Sequence, residues 1–332
     1  MSTTVSKTSS LKEWLEGIED LERGFDLLRL YKKERVDEIK REDFSSRLPG
    51  LFEKLTVLAE EVLGGALLLA HRSIGRQIVG SFAIVAMGKF GGRELGFTSD
   101  LDLLYLYENP KDQEAYTRLG QRIITALIVP TRYGVAFQID TALRPSGNAG
   151  TLVSSLASFE DYHRTMAQVW EKQSLIKARP ILGLGDPKFL QTCRRVIEGI
   201  AYAGLPPSIA GEINRLRRRM EVEIARETAD RWNLKIGRGG IVDIEFIVQY
   251  LQLTHGKAHP ALRTPNTLEG LEALRKERLL EEPGATDLKE HYLFFRSLGT
   301  NLCERRSSDP KLWEELGERR EKVRSLYERI LG

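Results

Sequence analysis

Two aspartates one residue apart, Asp100 and Asp102, open the apolar run DLDLLYLYE (100–108), directly after a glycine-rich turn in AIVAMGKFGGRELGFTSDLDLLYLYE. Alternation along an extended chain projects both carboxylates from one face. Like charges this close repel and are costly to bury unpaired, a penalty that a divalent cation removes. Asp140, on a polar position of a later alternating stretch, is expected to bring a third carboxylate to the same sheet edge. Three hard oxygen ligands with no histidine or cysteine beside them favour Mg2+ or Mn2+ over zinc. In the turn, Gly88, Gly91 and Gly92 let backbone N–H groups approach an anion, and GRELG supplies a short helix whose N-terminus favours phosphate. Polyphosphate at the glycines and metal at the aspartates make a nucleotide–metal site. The competing structural reading has Asp100 capping a turn and Asp102 as a solvated edge residue. The glycine turn ahead and Asp140 behind weigh against it.

Other charged residues are read against bland alternatives. Arg144 in LRPSG lies four residues past Asp140, within reach of a phosphate or simply on a surface loop. WEKQSLIKARP places Glu171, Lys177 and Arg179 on a helix and its exit, where a solvated charged face explains them equally well from periodicity. Asp243 and Glu245 stand amid the apolar residues of GGIVDIEF and need partners, a salt bridge at least as readily as a metal. The five histidines show no ligand spacing, no Ser-His-Asp or Cys-His arrangement emerges, and neither glycine turn matches the P-loop pattern.

The elements that must position these residues follow from periodicity. Residues 11 to about 76 read as helical in two stretches, LKEWLEGIEDLERGFDLLRLYKKERVDEI and LPGLFEKLTVLAEEVLGGALLLAHRSI, with a Pro-Gly break between them. SFAIVAMG (81–88) and DLDLLYLYE (100–108) read as buried strands. EAYTRLGQRIITALIVP (114–130) reads as a helix, and GVAFQIDTALRP (134–145) alternates as a strand. Beyond Ser154 the chain is expected to be mostly helical, with a break at ARPILGLGDP and a long charged helix in PSIAGEINRLRRRMEVEIARETAD. The strand–turn–strand–helix–strand order implies a modest mixed sheet covered by helices, an α+β class. The expected partition is an N-terminal helical segment 1–80, a sheet domain 81–190 and a helical bundle 191–332, with a soft boundary near 187–206.

Composition narrows the function classes. The 332 residues carry 41% hydrophobic and 29% charged residues, which argues against long disorder. Fifty basic against forty-seven acidic residues leave a formal charge of +3 and no basic window, so a nucleic-acid partner is not expected. Two cysteines, Cys193 and Cys303, make no disulfide framework. The first ten residues lack the apolar core of a signal peptide, and no apolar run suits a membrane span, so a soluble cytoplasmic protein without a membrane partner is expected.

Four blocks together carry a family resemblance: GKFGGRELGFTSDLDLLY, QIDTALRPSGNAGTLVSS, FEDYHRTMAQVWEKQSLIKARP and GRGGIVDIEFIVQYLQLTHG. In this order, across roughly residues 25 to 305, the chain resembles the glutamine synthetase adenylyltransferase family. That resemblance implies a nucleotidyltransferase fold of the DNA polymerase β superfamily followed by a helical bundle. It also implies ATP as substrate, and Mg2+ (or Mn2+) as cofactor on Asp100, Asp102 and Asp140, the catalytic carboxylates. Nucleotide contacts are implied at Gly91, Gly92, Ser99, Arg144 and Lys177. The implied protein substrate is glutamine synthetase, modified on a tyrosine, and an implied regulatory partner is a PII signalling protein. Family members usually carry two such halves, one removing the adenylyl group and one adding it, and this chain has one set of motifs. ELGFTSDLDL, LRPSG and GGIVDIEFIVQYL resemble the transferring half, whereas FEDYHRT and LIKARP resemble the removing half equally. A removing, phosphorolytic activity that releases ADP is therefore the alternative. A catalytically silent nucleotide-sensing module is a second, disfavoured by the retention of three crowded carboxylates.

Overall fold

The structure, a computed structural model, describes residues 10–42, 47–74, 78, 80–298, 303–305 and 309–332. Most of the polar N-terminal stretch read above, residues 1–9, lies outside them. The chain forms two compact units. One comprises the described part of Met1–Tyr162 with Ala178–Arg195, the other His163–Lys177 with Val196–Gly332.

The first unit begins with α1 (Leu11–Trp14), α2 (Leu21–Ile39) and α3 (Leu48–Ile74). The expected single helix from residue 11 is split. Gly17 takes a left-handed φ of +70°, and Asp20 restarts the helix by accepting the N–H of Glu22 at 2.9 Å. In α3 the buried residues Phe52, Leu55, Ala59, Val62, Ala66 and Leu69 recur every three or four positions, so one stripe faces the core. Next come β1 (Phe82–Ala86), the four-residue helix α4 (Gly88–Gly91), β2 (Leu101–Tyr107), α5 (Gln113–Ile128), β3 (Ile139–Asp140) and β4 (Val153–Ser155). After α6 (Leu156–Thr165) and α7 (Val169–Ser174) the chain returns to the sheet as β5 (Arg179–Leu184) and leaves through α8 (Lys188–Ala201).

The sheet is mixed. β1 runs antiparallel to β2 and β5, and β2 runs parallel to β3 and β4. Every residue of β1 is buried, as are Leu101 and the stretch 103–107 of β2. Such unbroken apolar runs suit strands covered on both faces. Asp102 interrupts the run and is only half-buried. Two strand expectations change. The stretch 134–145 shrinks to two residues, because Ala136 and Phe137 donate their N–H groups to Leu127 O at the end of α5 and bend the chain. The break expected at 178–187 is instead largely β5.

The second unit contains α7, α9 (Ala210–Arg219), β6 (Arg231–Asn233), α10 (Ile241–His255), α11 (Thr267–Lys276), α12 (Glu282–Ser297), β7 (Cys303–Arg305) and α13 (Pro310–Leu331). α10 is buried around nearly its whole circumference, as befits a core helix, and α11, α12 and α13 pack on it. β6 and β7 pair antiparallel. The expected long charged helix ends early: α9 passes into a π-helical turn, Met220–Ala225, and stops at Arg226 with φ +46°. Residues His163–Lys177, expected in the sheet domain, belong to the second unit, where Gln173 Nε2 donates to Gln249 at 2.8 Å and Lys177 Nζ to Thr267 at 3.0 Å. Predominant helix around a mixed sheet gives an α+β fold. Among the described residues no helix is long and apolar enough to cross a membrane. Cys193 is a buried free thiol, its pKa pushed up to about 12 by burial.

Candidate active site

Asp102, the second residue of β2, stands in register with Asp140 of β3. Adjacent strands lie about 4.8 Å apart, so in this parallel pair the two carboxylates leave the sheet side by side. The register is pinned at both edges of β2: Leu101 N–H donates to Gln138 O at 3.0 Å, and Met87 N–H donates to Asp102 O at 2.9 Å. Asp140 is exposed, and its Oδ1 accepts the N–H of Ala142 at 2.7 Å. Asp100 is exposed one residue ahead of β2.

The glycine turn meets the carboxylates at Gly88. Its φ is +53°, and a Cβ added there would collide with Asp102 Oδ2. Only glycine combines that backbone with that approach. Gly91 and Gly92, whose N–H groups were expected to face phosphate, form the exit of α4. Those amides close α4, donating to Met87 O at 2.8 Å and Gly88 O at 3.1 Å. Ser99 Oγ accepts the N–H of Gly96 at 2.9 Å and shapes the turn that delivers Asp100.

Two expected phosphate contacts are engaged otherwise. Arg144 donates to Thr141 O at 2.7 Å, to Thr141 Oγ1 at 2.8 Å and to Gly150 O at 3.3 Å, bracing the loop after β3. Lys177 is buried in the second unit, 3.0 Å from Thr267 Oγ1 and 3.6 Å from Glu245. Glu171, Asp243 and Glu245, left open by the sequence, all have partners within the protein. Glu171 caps its own helix by accepting Gln168 N–H at 2.9 Å, and Asp243 is a buried partner of Arg217 and of Gly239 N–H. Burial raises the Asp243 pKa, and Arg217 opposes that rise.

Supporting residues that periodicity did not reveal surround the sheet. Arg179 of β5 donates to Gly91 O at 3.0 Å and Phe90 O at 3.2 Å, and pairs with Glu60 of α3 at 2.7 Å. Arg29 is buried and donates to Phe25 O at 2.8 Å, Ala126 O at 2.9 Å and Gly134 O at 2.9 Å, tying the end of α5 to the approach to β3. Lys32 bonds Ala136 O and lies 3.9 Å from the centre of the Phe137 ring. Burial, reinforced by Arg29, lowers its pKa to about 8. Of these, Arg179 stands out in the sequence at the end of WEKQSLIKARP, and Arg29 as a cation on an otherwise core-facing helical position.

Asp100, Asp102 and Asp140 were expected to bring three carboxylates to one edge of the sheet. Among the described residues no group of three or more His, Cys, Asp or Glu side chains is placed to hold a metal ion. The donor set nevertheless fits a hard divalent cation. Mg2+ is commonly held by one or two carboxylates together with substrate phosphates and water, rather than by an all-protein cage. Asp102 and Asp140 are such a pair, and the glycine at 88 lets the turn lie directly against the Asp102 carboxylate.

These features define an α+β protein with a paired-carboxylate centre beside a glycine turn at the sheet edge. Comparison with known proteins narrows the class. The glutamate-ammonia ligase adenylyltransferase family model matches residues 1–194, and the GlnD PII-uridylyltransferase model matches residues 214–329. Three relatives bear the name bifunctional glutamine synthetase adenylyltransferase/adenylyl-removing enzyme. That of Thioalkalivibrio sulfidiphilus is 35% identical over 94% of this chain and 35% of its own length. That of Neisseria meningitidis serogroup B is 34% identical over 94% of this chain and 35% of its own. The third, from Xanthomonas campestris pv. campestris, is 38% identical over 66% of this chain and 25% of its own. The chain belongs to the glutamate-ammonia ligase adenylyltransferase family, and spans about a third of the length of the first two relatives.

Proposed function

We propose that the chain transfers AMP from ATP to a tyrosine hydroxyl of glutamine synthetase, and so regulates nitrogen assimilation. The single observation that carries this reading is the direct register of Asp102 with Asp140, beside Gly88, in a chain of this family. On this reading the first unit is a nucleotidyltransferase fold of the DNA polymerase β superfamily. Asp102 and Asp140 hold a divalent cation, Mg2+ or Mn2+, with Asp100 as the further ligand. When bound, that ion neutralises the triphosphate and orients it for in-line displacement.

The chain's own residues do the rest. Gly88 admits close approach of the phosphates beside Asp102, and Ser99 and Arg144 shape the loops on either side. Asp140 orients the tyrosine hydroxyl and accepts its proton as the phenolic oxygen bonds to the α-phosphorus. The bond from the α-phosphorus to the bridging oxygen breaks, and pyrophosphate leaves. The second unit would carry the protein contacts. Its match to the PII-uridylyltransferase model supports a PII signalling protein as regulatory partner, in the cytoplasm.

The names of the relatives join two activities, and this favours one alternative: phosphorolytic removal of AMP from modified synthetase, releasing ADP. Incubation with α-labelled ATP, Mg2+ and glutamine synthetase, then of labelled synthetase with inorganic phosphate, separates the two. Label appearing on synthetase tyrosine supports transfer. Phosphate-dependent release of labelled ADP, without incorporation, supports removal.

A further inference from the structure

Resting on the site reading proposed above, we infer that Arg179 is a positioning residue of the carboxylate centre, acting through α4. A helix of four residues has no stability of its own, because nucleation is unfavourable and its final carbonyls lack intrahelical partners. Here those carbonyls have one. The Arg179 guanidinium reaches from β5 to Gly91 O at 3.0 Å through Nε and to Phe90 O at 3.2 Å through Nη2. Glu60 Oε1, 2.7 Å away, fixes the guanidinium from α3, and the Arg179 side chain is only 12% exposed.

The consequence for Asp102 is geometric. Arg179 is the register partner of Ala86, the last residue of β1, and only Met87 separates Ala86 from Gly88. The sheet therefore anchors the entry to the turn while Arg179 anchors its exit. Between these anchors Gly88 lies against Asp102 Oδ2, and Met87 N–H bonds Asp102 O. Releasing the exit frees α4 to unwind and Gly88 to leave the carboxylate, loosening the surface on which a metal–nucleotide complex would sit. The planar fork of arginine serves two carbonyls and a carboxylate together, whereas the lysine ammonium is a compact point charge on a flexible stem. Arg179 contacts neither substrate nor metal in this account, so its effect should show in the turn and in ligand affinity.

The test compares the wild-type chain with Arg179→Ala, Arg179→Lys and Glu60→Gln. Two readings are taken: hydrogen–deuterium exchange of the Gly91 and Gly92 amides, and the Kd for Mn2+ with α,β-methylene-ATP. The expected result is faster exchange at 91–92 with β1 amides unchanged, together with Mn2+–nucleotide binding weaker by roughly tenfold, as for other outer-sphere supports. Arg179→Lys should restore only part of the loss, and Glu60→Gln, which leaves the arginine in place, should show a smaller change of the same sign. Unchanged exchange at 91–92 in every variant overturns the inference, as does faster exchange with unaltered affinity. A wild-type chain that binds no Mn2+–nucleotide overturns the site reading and the role of Arg179 with it. The wild-type titration thus separates that failure from the failure of Arg179 alone.

Discussion

Gly88 lies so close to Asp102 that any side chain at position 88 would strike the Asp102 carboxylate, and its backbone occupies the left-handed region at φ +53°. Two independent demands, space and dihedral, therefore converge on one residue. They tie the glycine turn physically to the strand that carries the aspartates.

Gly88→Ala should consequently harm the site more than the fold. The dihedral alone costs about 1 kcal/mol, and the contact with Asp102 adds to it. Thermal unfolding should fall by a few degrees, whereas Mn2+–nucleotide affinity should drop by roughly tenfold or more. Titration calorimetry alongside a melting curve separates the two effects.

Asp243 and Arg217 form a buried ion pair, with Arg217 also donating to Gly237 O at 2.8 Å. Removing Asp243 leaves the buried Arg217 with only the more distant Glu221, 3.4 Å away, at a cost of up to about 3–5 kcal/mol. Asp243→Ala should shift the urea midpoint of the second unit accordingly. The double variant Arg217→Met, Asp243→Leu should recover much of the loss, because neither charge is then stranded. A single variant with an unchanged midpoint would contradict a structural role for this pair.

Lys32 predicts a pH dependence. Its folded pKa, about 8, lies below the ordinary 10.5 because burial disfavours the ammonium. The folded chain thus binds fewer protons than the unfolded chain between those values. The contribution of Lys32 to stability accordingly rises with pH across that window and is flat below it. Against Lys32→Met, the wild type should gain on the order of 1 kcal/mol from pH 7.5 to 10, after allowance for partial solvent screening. Denaturant melts at several pH values measure the difference directly. A gain of opposite sign would contradict the assigned environment.

The sheet centre was legible because β1 and β2 are apolar runs bounded by glycines and aspartates, and two-residue alternation already put Asp100 and Asp102 on one face. The neighbouring strand was legible only at Ile139–Asp140, since the bonds from Ala136 and Phe137 to Leu127 are tertiary and leave no local pattern. β5 was hidden for the opposite reason. RPILGLGD carries a proline and two glycines, which signal a loop, yet the strand forms at the sheet edge where they are tolerated. Spacing also could not tell which cations are engaged by the protein itself. Arg144 and Lys177 were expected near phosphate, and each has carbonyl, hydroxyl or carboxylate partners in its own unit.

The most direct test of the central claim is transfer of label from α-labelled ATP to glutamine synthetase, by the wild-type chain and by Asp102→Asn, which keeps shape and hydrogen bonding but loses the charge. The account predicts Mg2+-dependent label on a tyrosine with the wild type. With Asp102→Asn it predicts a rate lower by roughly 10²-fold or more at an unchanged melting temperature, a loss at or beyond the upper end for residues that only support a metal ligand. Label transferred at an undiminished rate by Asp102→Asn would contradict it.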